Sequence, residues 1–205
     1  MLTGVAEALM ANGHRVVRTI VQGDGSIEEN AERLWSQLGK VEGPLALLCH
    51  STGGLIARTF LVDERRAARI VAVVTLGSPH EGVALARAMA PFHRAYRDLT
   101  PEARTDWLTR HGPAERASIE RHGIRAMSVV ARLSGPARHP SLVVGQLLAG
   151  PGDGLVPAES QVWGTKAFEV NLDHAECAGL RMLPGRRRRF VETWQRMAQL
   201  ALQGR

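Results

Sequence analysis

Two short runs of consecutive apolar residues most constrain how this 205-residue chain can fold. Residues 45–49 read LALLC and residues 70–76 read IVAVVTL. The first run is wholly apolar and the second contains one threonine, and runs of this kind are typical of strands buried on both faces of a parallel sheet. β-branched or alternating apolar patterns predict three further strands, at residues 14–21, 124–131 and 167–172.

Helical spacing of apolar residues separates these strands. It predicts helices at residues 3–12, 26–38 and 52–64 and at the C-terminus, the second opened by a capping box of Ser26 and Glu29. Strands that alternate with helices predict an α/β fold, with a mostly parallel sheet and helices on both faces.

The length and composition fit one domain over residues 1–205. The chain is 44% hydrophobic and 22% charged, which excludes disorder, and no apolar run approaches the roughly 18 residues of a membrane span. No signal peptide is evident in the first fifteen residues, so we expect a cytoplasmic protein as the sequence stands, or a secreted one if a leader precedes Met1. Two cysteines, Cys49 and Cys177, are too few for a disulfide scaffold.

Residues 82–122 follow a predicted strand and are polar, helical and rich in arginine. A long insertion at this position predicts a helical cap or lid over a site rather than a second domain.

The net charge of +6 is concentrated most at Arg186–Arg189. This run has two interpretations: a footprint for phosphate or lipid headgroups, or the solvated first turn of the C-terminal helix, which we favour. Nucleic-acid binding is not expected, because no aromatic residues are interleaved with the arginines.

Ser51 stands between a predicted strand and a predicted helix in LALLCHSTGGLIAR. A serine on such a tight turn exposes its hydroxyl beside the N–H groups of the helix start. Small residues are needed two positions to either side, and Gly53 satisfies this on one side, whereas Cys49 stands where glycine is usual.

Asp153 and His174 are the candidate partners of Ser51. Asp153 lies in the glycine-flanked loop GPGDGLVP, and His174 lies just beyond the last predicted strand in VNLDHAE. Taken alone, Asp153 has the alternative role of a turn former, and for His174 the role of a hydrogen-bonded surface histidine is favoured. The order serine, aspartate, histidine at successive strand ends is that of a hydrolase triad.

Four segments, CHSTGGLIAR, VVTLGSPHEG, GPGDGLVPAES and DHAE, together resemble the serial motifs of the lipase and esterase branch of the α/β-hydrolase superfamily, as in bacterial triacylglycerol lipases. The resemblance implies that Ser51 is the nucleophile, Asp153 the acid and His174 the base. It also implies that the backbone N–H of Thr52 donates to an oxyanion and that His50 is structural.

Relatives of this kind carry a strand and an H-G loop before the first helix, and that loop supplies a second oxyanion donor. Neither segment is present, so we expect either a longer N-terminus, which we favour, or a reduced hydrolase; the fold is then an N-terminally truncated α/β-hydrolase. The strands at 14–21 and 45–49 would keep unpaired edges unless they pair with one another.

The predicted function is a serine hydrolase that cleaves carboxylic esters, with a small-molecule ester or lipid as substrate. The alternative is a catalytically impaired, hydrolase-like protein that binds a lipid or a protein partner. Apolar residues at 142–148 and in the cap are candidates for an acyl pocket. We expect no cofactor and no metal, since zinc, redox and nucleotide motifs are absent and Glu176 lacks a second carboxylate for calcium. The oligomeric state stays open.

Overall fold

In the computed structural model, the described residues form a sheet of four parallel strands, and the spatial order of the strands is their order in the chain. The structure describes residues 4–137, 140–180 and 184–203. The strands are β1 (Leu45–His50), β2 (Ile70–Leu76), β3 (Arg125–Ala131) and β4 (Thr165–Val170). Each pairs in parallel with the next, in the order β1-β2-β3-β4. The predicted α/β class and parallel sheet are confirmed.

Helices fill the connections between the strands. Before β1 lie α1 (Val5–Ala11) and α2 (Ile27–Leu38), and between β1 and β2 lie α3 (Thr52–Leu61) and α4 (Glu64–Ala67). Between β2 and β3 lie α5 (Ala86–Met89), α6 (Arg94–Arg97) and α7 (Pro101–His122). The remaining helices are α8 (Pro140–Ala149), α9 (His174–Cys177) and α10 (Pro184–Leu202). No described helix has the length and hydropathy needed for a membrane span.

The sheet separates two apolar cores. Val74 and Leu76 of β2 pack on the face covered by α1 and α10, whereas Val73 packs on the opposite face with residues of α2 and α3. Because neighbouring residues of a strand point to opposite faces, one apolar run serves both cores. Helices therefore cover both faces, as predicted.

The strand predicted at residues 14–21 is not formed, and that prediction is wrong. The segment is irregular, and the side chain of Ile20 is 79% exposed. The Ile20 backbone instead bonds a side chain of α2: its N–H donates to Gln37 Oε1 and its carbonyl accepts from Gln37 Nε2, both at 2.8 Å. β-branched residues form a strand only beside a partner strand, and this segment pairs with none among the described residues.

β1 differs from the prediction in its burial. All six residues of β1 are half-buried, whereas six of the seven residues of β2 are buried. β1 lies at the edge of the described sheet and has a strand neighbour on one side only, so its apolar composition does not bring complete burial.

Other boundaries are close to those predicted. The capping box of Ser26 and Glu29 opens α2 as expected. The helix predicted at 52–64 is divided, because the Asp63 side chain accepts from the N–H groups of Arg65 and Arg66 and starts a new helix, α4. The predicted start of the first helix, Thr3, lies outside the described residues.

Candidate active site

Ser51 occupies a sharp turn between the end of β1 and the start of α3. Its φ of 53° and ψ of −130° place it outside the helical and strand regions. Among the described residues it is the one non-glycine with a positive φ. Such a conformation costs about 1–3 kcal/mol and is found where a site requires it. The Ser51 N–H donates to the carbonyl of Leu76 at 3.1 Å, which fixes the turn against β2.

The turn closes because small residues surround it. A Cβ at Gly54 would collide with the Ser78 side chain and would lie 3.0 Å from Thr75 Cγ2, so this position requires glycine. A Cβ at Gly53 would lie 3.7 Å from Cys49 Cβ, which is an ordinary contact. Cys49, which stands where the resemblance expects glycine, therefore fits here. Burial raises the pKa of its thiol to about 12, so the thiol stays neutral.

The structure brings Ser51, His174 and Asp153 into one hydrogen-bonded row. His174 Nε2 lies 2.9 Å from Ser51 Oγ, and His174 Nδ1 lies 2.7 Å from Asp153 Oδ2. An ionised carboxylate can only accept, so Nδ1 carries the proton and Nε2 is the acceptor for the serine hydroxyl. The three residues predicted from the sequence meet with the spacing that proton transfer requires.

Asp153 is completely buried, and backbone groups fix its orientation. Its Oδ1 accepts the N–H groups of Leu155 at 2.9 Å and Val156 at 2.7 Å, which leaves Oδ2 for the imidazole. Gly77 lies against the same carboxylate: a Cβ there would lie 2.9 Å from Oδ2. The backbone carbonyl of Asp153 also accepts the N–H of His174 at 2.9 Å.

A capping box of Asp173 and Glu176 holds His174 in place, and neither residue is among the site residues predicted from the sequence. The Asp173 side chain accepts the N–H of Glu176 at 2.8 Å, and Glu176 accepts the N–H of Asp173 at 2.9 Å. Arg186 of α10 lies 3.3 Å from the Glu176 carboxylate, so the histidine turn is tied to the C-terminal helix. The spacing of Asp173 and Glu176 is a capping signature that the sequence contains.

The charges around His174 favour its protonated form. Burial alone would lower its pKa, but the charge and hydrogen bond of Asp153, with a further contribution from Asp173, raise the pKa above the ordinary histidine value. His50 lies next to His174, and the centroids of the two imidazole rings are 4.7 Å apart. Burial, and then the neighbouring His174, lower the pKa of His50 well below its usual value, which keeps it neutral.

Thr52 opens α3 beside the Ser51 hydroxyl. The first N–H groups of an α-helix have no acceptor within the helix, and the helix dipole gives this end a partial positive charge. The start of α3 is therefore suited to negative charge that develops next to Ser51.

A second buried ionic group lies on α3 and α7. Arg58 donates two hydrogen bonds of 2.7 Å to the Glu115 carboxylate, and both side chains are buried. The rings of Trp107 and Trp163 lie 5.3 Å from the Arg58 guanidinium carbon. No motif in the sequence indicates this pair, because its members come from separate segments.

His80 belongs to the loop after β2 and interacts with two arginines, Arg104 and the Arg58 of the buried ion pair. Its Nε2 lies 3.2 Å from Thr75 Oγ1, and its backbone carbonyl accepts from Arg104 Nε at 3.4 Å. Burial and the nearby charges of Arg58 and Arg104 hold the pKa of His80 well below its usual value. His80 is thus a neutral, buried residue that forms no hydrogen bond with Ser51, His174 or Asp153.

The described residues contain no group of three or more side chains suited to hold a metal ion.

The sequence of this chain matches a known protein family and a curated relative. Residues 11–132, more than half of the chain, match the family described as PGAP1-like alpha/beta domain. The matched segment contains Ser51 and ends before Asp153 and His174. Triacylglycerol lipase 2 of Saccharomyces cerevisiae is 37% identical over 93 residues, which cover 40% of this chain and 28% of that protein. The chain thus spans little more than a quarter of this curated relative.

Solved structures share the architecture at low sequence identity. The mature form of the Bacillus licheniformis lipase BlEst2 has a TM-score of 0.72 and 18% identity, over 83% of this chain and 76% of that one. The metagenomic carboxyl esterase MGS0156 has a TM-score of 0.65 and 24% identity, over 79% of this chain and 54% of that one. The expected resemblance to the lipase and esterase branch of the α/β-hydrolases is confirmed.

Proposed function

The chain belongs to the PGAP1-like alpha/beta domain family, and from that premise we propose that it is a serine hydrolase that cleaves carboxylic esters, with lipid or acyl esters as substrates. The observation that carries the proposal is the hydrogen-bonded row from Asp153 through His174 to Ser51. The names of the yeast relative and of the two structural neighbours agree with this chemistry.

Ser51 is the nucleophile in the proposed reaction. As its Oγ attacks the ester carbonyl carbon, His174 Nε2 takes the hydroxyl proton and then gives it to the leaving alkoxide, which departs as an alcohol. Water attacks the resulting acyl-enzyme by the same route, and the products are a carboxylic acid and free Ser51. Asp153 keeps the Nδ1 tautomer and stabilises the imidazolium that forms in each step.

The oxyanion of the tetrahedral intermediate is stabilised by the N–H of Thr52. This group is oriented before the reaction, because it belongs to the first turn of α3. One such donor is worth about 10²–10³ in turnover.

The cap proposed for residues 82–122 consists of two unlike parts. α7 is anchored, because its residue Glu115 binds the buried Arg58. Residues 82–99, which precede α7, pack on the loop that contains Asp153, where Val83 and Ala86 contact Val156. We therefore assign the covering role to residues 82–99 and a supporting role to α7.

Hydrolysis of p-nitrophenyl esters with short and medium acyl chains tests the proposal. We expect the wild-type chain to be active and Ser51→Ala to lose at least about 10³-fold in kcat, since Ser51 is the group that forms the acyl-enzyme in the proposed reaction. Ser78→Ala is the matched control, because it removes a neighbouring buried hydroxyl that is outside the row.

A folded wild-type chain with no more activity than Ser51→Ala would overturn the proposal for this chain. The alternative, an impaired hydrolase-like protein that binds a lipid or protein partner, would then take its place. Thermal unfolding of both proteins separates this result from a failure to fold.

A further inference from the structure

The imidazole of His174 touches a second histidine, which the proposed reaction does not use. His50 is the last residue of β1 and directly precedes Ser51. The centroid of its ring lies 4.7 Å from that of His174, with an angle of 42° between the ring planes. This separation is at the short end of the range for two aromatic rings in contact, so the two imidazoles pack directly on one another.

The backbone of His50 is fixed by the sheet. His50 lies opposite Leu76 of β2, and the next N–H in the chain, that of Ser51, donates to the Leu76 carbonyl at 3.1 Å. Gly77, which follows Leu76, borders both rings: a Cβ there would lie 3.8 Å from His50 Nε2 and 3.7 Å from His174 Nδ1. The strand pair that holds the Ser51 turn therefore also holds His50.

His50 meets the site through its ring and not through Nε2. That nitrogen is inaccessible to solvent and has no hydrogen-bond partner among the described residues. Burial, and then the neighbouring His174, hold the pKa of His50 well below its usual value, so the ring is uncharged. An uncharged ring can lie against His174 without opposing the imidazolium that forms there in the proposed reaction.

The two hydrogen bonds of His174 leave one motion of its ring weakly restrained. Nδ1 lies 2.7 Å from Asp153 Oδ2 and Nε2 lies 2.9 Å from Ser51 Oγ, so the ring is held at two points. A carboxylate oxygen accepts over a broad range of directions, and the ring can therefore tilt about the line through these points. A second ring in contact opposes the tilt, because close-packed atoms cannot overlap.

We propose that His50 is a positioning residue, which keeps His174 Nε2 directed at Ser51 Oγ through the contact of the two rings. Its effect on turnover rests on the proposed hydrolase function, whereas its effect on the orientation of His174 does not. Proton transfer depends steeply on this geometry, since a misplacement of about 1 Å can cost about 10²-fold in rate.

Two substitutions of His50 separate the ring from its nitrogen atoms. His50→Ala removes the contact, and we expect kcat for p-nitrophenyl ester hydrolysis to fall about 10²-fold while KM is unchanged. His50→Phe restores a flat ring without nitrogen, so kcat should return to within about fivefold of the wild type. Thermal unfolding should show that both variants are folded.

Leu48→Ala is the matched control. Leu48 lies two residues before His50, on the same face of β1, and packs in the core with residues of α1 and α10. Its truncation should lower the temperature of unfolding but leave kcat of the folded protein within about twofold of the wild type.

Proton NMR supplies a second readout, which needs no turnover. The Nδ1 proton of His174, in its hydrogen bond to Asp153, should give a resonance far downfield of the amide protons, assigned by its loss in Asp153→Asn. We expect this resonance to broaden or disappear in His50→Ala, because a loosely held ring exchanges its proton faster with water. It should persist in His50→Phe and in Leu48→Ala.

A resonance retained in folded His50→Ala would overturn the proposal, and so would a kcat within about threefold of the wild type. Equal losses in His50→Phe and His50→Ala would also overturn it, because they would assign the role to the nitrogen atoms. An equal loss of kcat in Leu48→Ala would do the same, by assigning the effect to a general loosening of β1. A wild-type chain without Ser51-dependent hydrolysis would overturn the proposed function, and the NMR result alone would then decide whether His50 orients His174.

Discussion

Two buried pairs of a carboxylate and a nitrogen base stand in contrast within this molecule. Glu115 binds Arg58 and Asp153 binds His174, both with an N–O distance of 2.7 Å and a nearly inaccessible carboxylate. The bases differ, because a guanidinium is always charged whereas an imidazole gains and loses its proton near neutral pH.

The surroundings of the two pairs also differ, because Arg58 is covered by other side chains whereas His174 contacts a reactive group. Two tryptophan rings cover Arg58, so its charge is sealed between α3 and α7 and holds those helices together. His174 has one nitrogen on Asp153 and the other on a serine hydroxyl that is only half-buried. The contrast teaches that the same ionic contact fixes a structure where the cation is permanent, and can support chemistry where the base titrates and faces a reactive group.

Asp153→Asn tests the second pair and should have the largest effect. The amide keeps the shape of the side chain but favours the wrong imidazole tautomer, so we expect kcat to fall about 10⁴-fold. Ester hydrolysis measures the loss, and thermal unfolding should show a folded protein. A variant within tenfold of the wild type would remove Asp153 from the proposed triad.

Glu115→Gln tests the first pair and should act on stability. The buried Arg58 charge is left uncompensated, so the free energy of unfolding should fall by about 3–5 kcal/mol. Urea unfolding measures this change. The contrast predicts that kcat of the folded fraction stays within about twofold of the wild type; a loss of kcat like that of Asp153→Asn would break the distinction between the two pairs.

Asp173→Asn sharpens the contrast and should have the smallest effect. The asparagine side chain can still accept the N–H of Glu176, but the negative charge that helps to raise the pKa of His174 is lost. Hydrolysis requires neutral His174, so activity rises with pH through its pKa. The rise of kcat/KM should therefore move to lower pH, with the high-pH plateau unchanged.

Glu169→Gln is the control for this charge change, because Glu169 is exposed and paired with Lys166. It should leave the pH profile in place. A lower plateau in Asp173→Asn, without a shift along the pH axis, would indicate that Asp173 acts on the position of His174 and not on its charge.

Sequence patterns predicted the four strands that the structure describes and the three residues of the Ser51 row, since both depend on local patterns. Apolar runs predicted β1 and β2, and a serine, an aspartate and a histidine at strand ends predicted which side chains meet. The strand at residues 14–21 failed for a physical reason: its composition is as favourable as that of β1, but strand formation requires a neighbour that composition does not specify.

The Arg58–Glu115 pair could not be predicted for a related reason. The two residues are 57 positions apart, and each is also an ordinary member of a charged helix. Their burial depends on how α7 packs on α3. Leu147 and Leu148 of α8 are 80% and 64% exposed, and this exposure is likewise a result of packing, because the sequence alone equally permits an apolar core there.

The order of the strands has a consequence for how the site is assembled during folding. Each strand pairs with the one before it in the chain, so the sheet can grow from β1 to β4 in the direction of synthesis. Ser51 and His174, however, are separated by 123 residues, and His174 follows the last strand. A chain that has formed three strands already displays Ser51 without its base. Recovery of the complete row after dilution from denaturant would therefore report on the final folding event, while the spectroscopic signal of the helices reports on earlier ones.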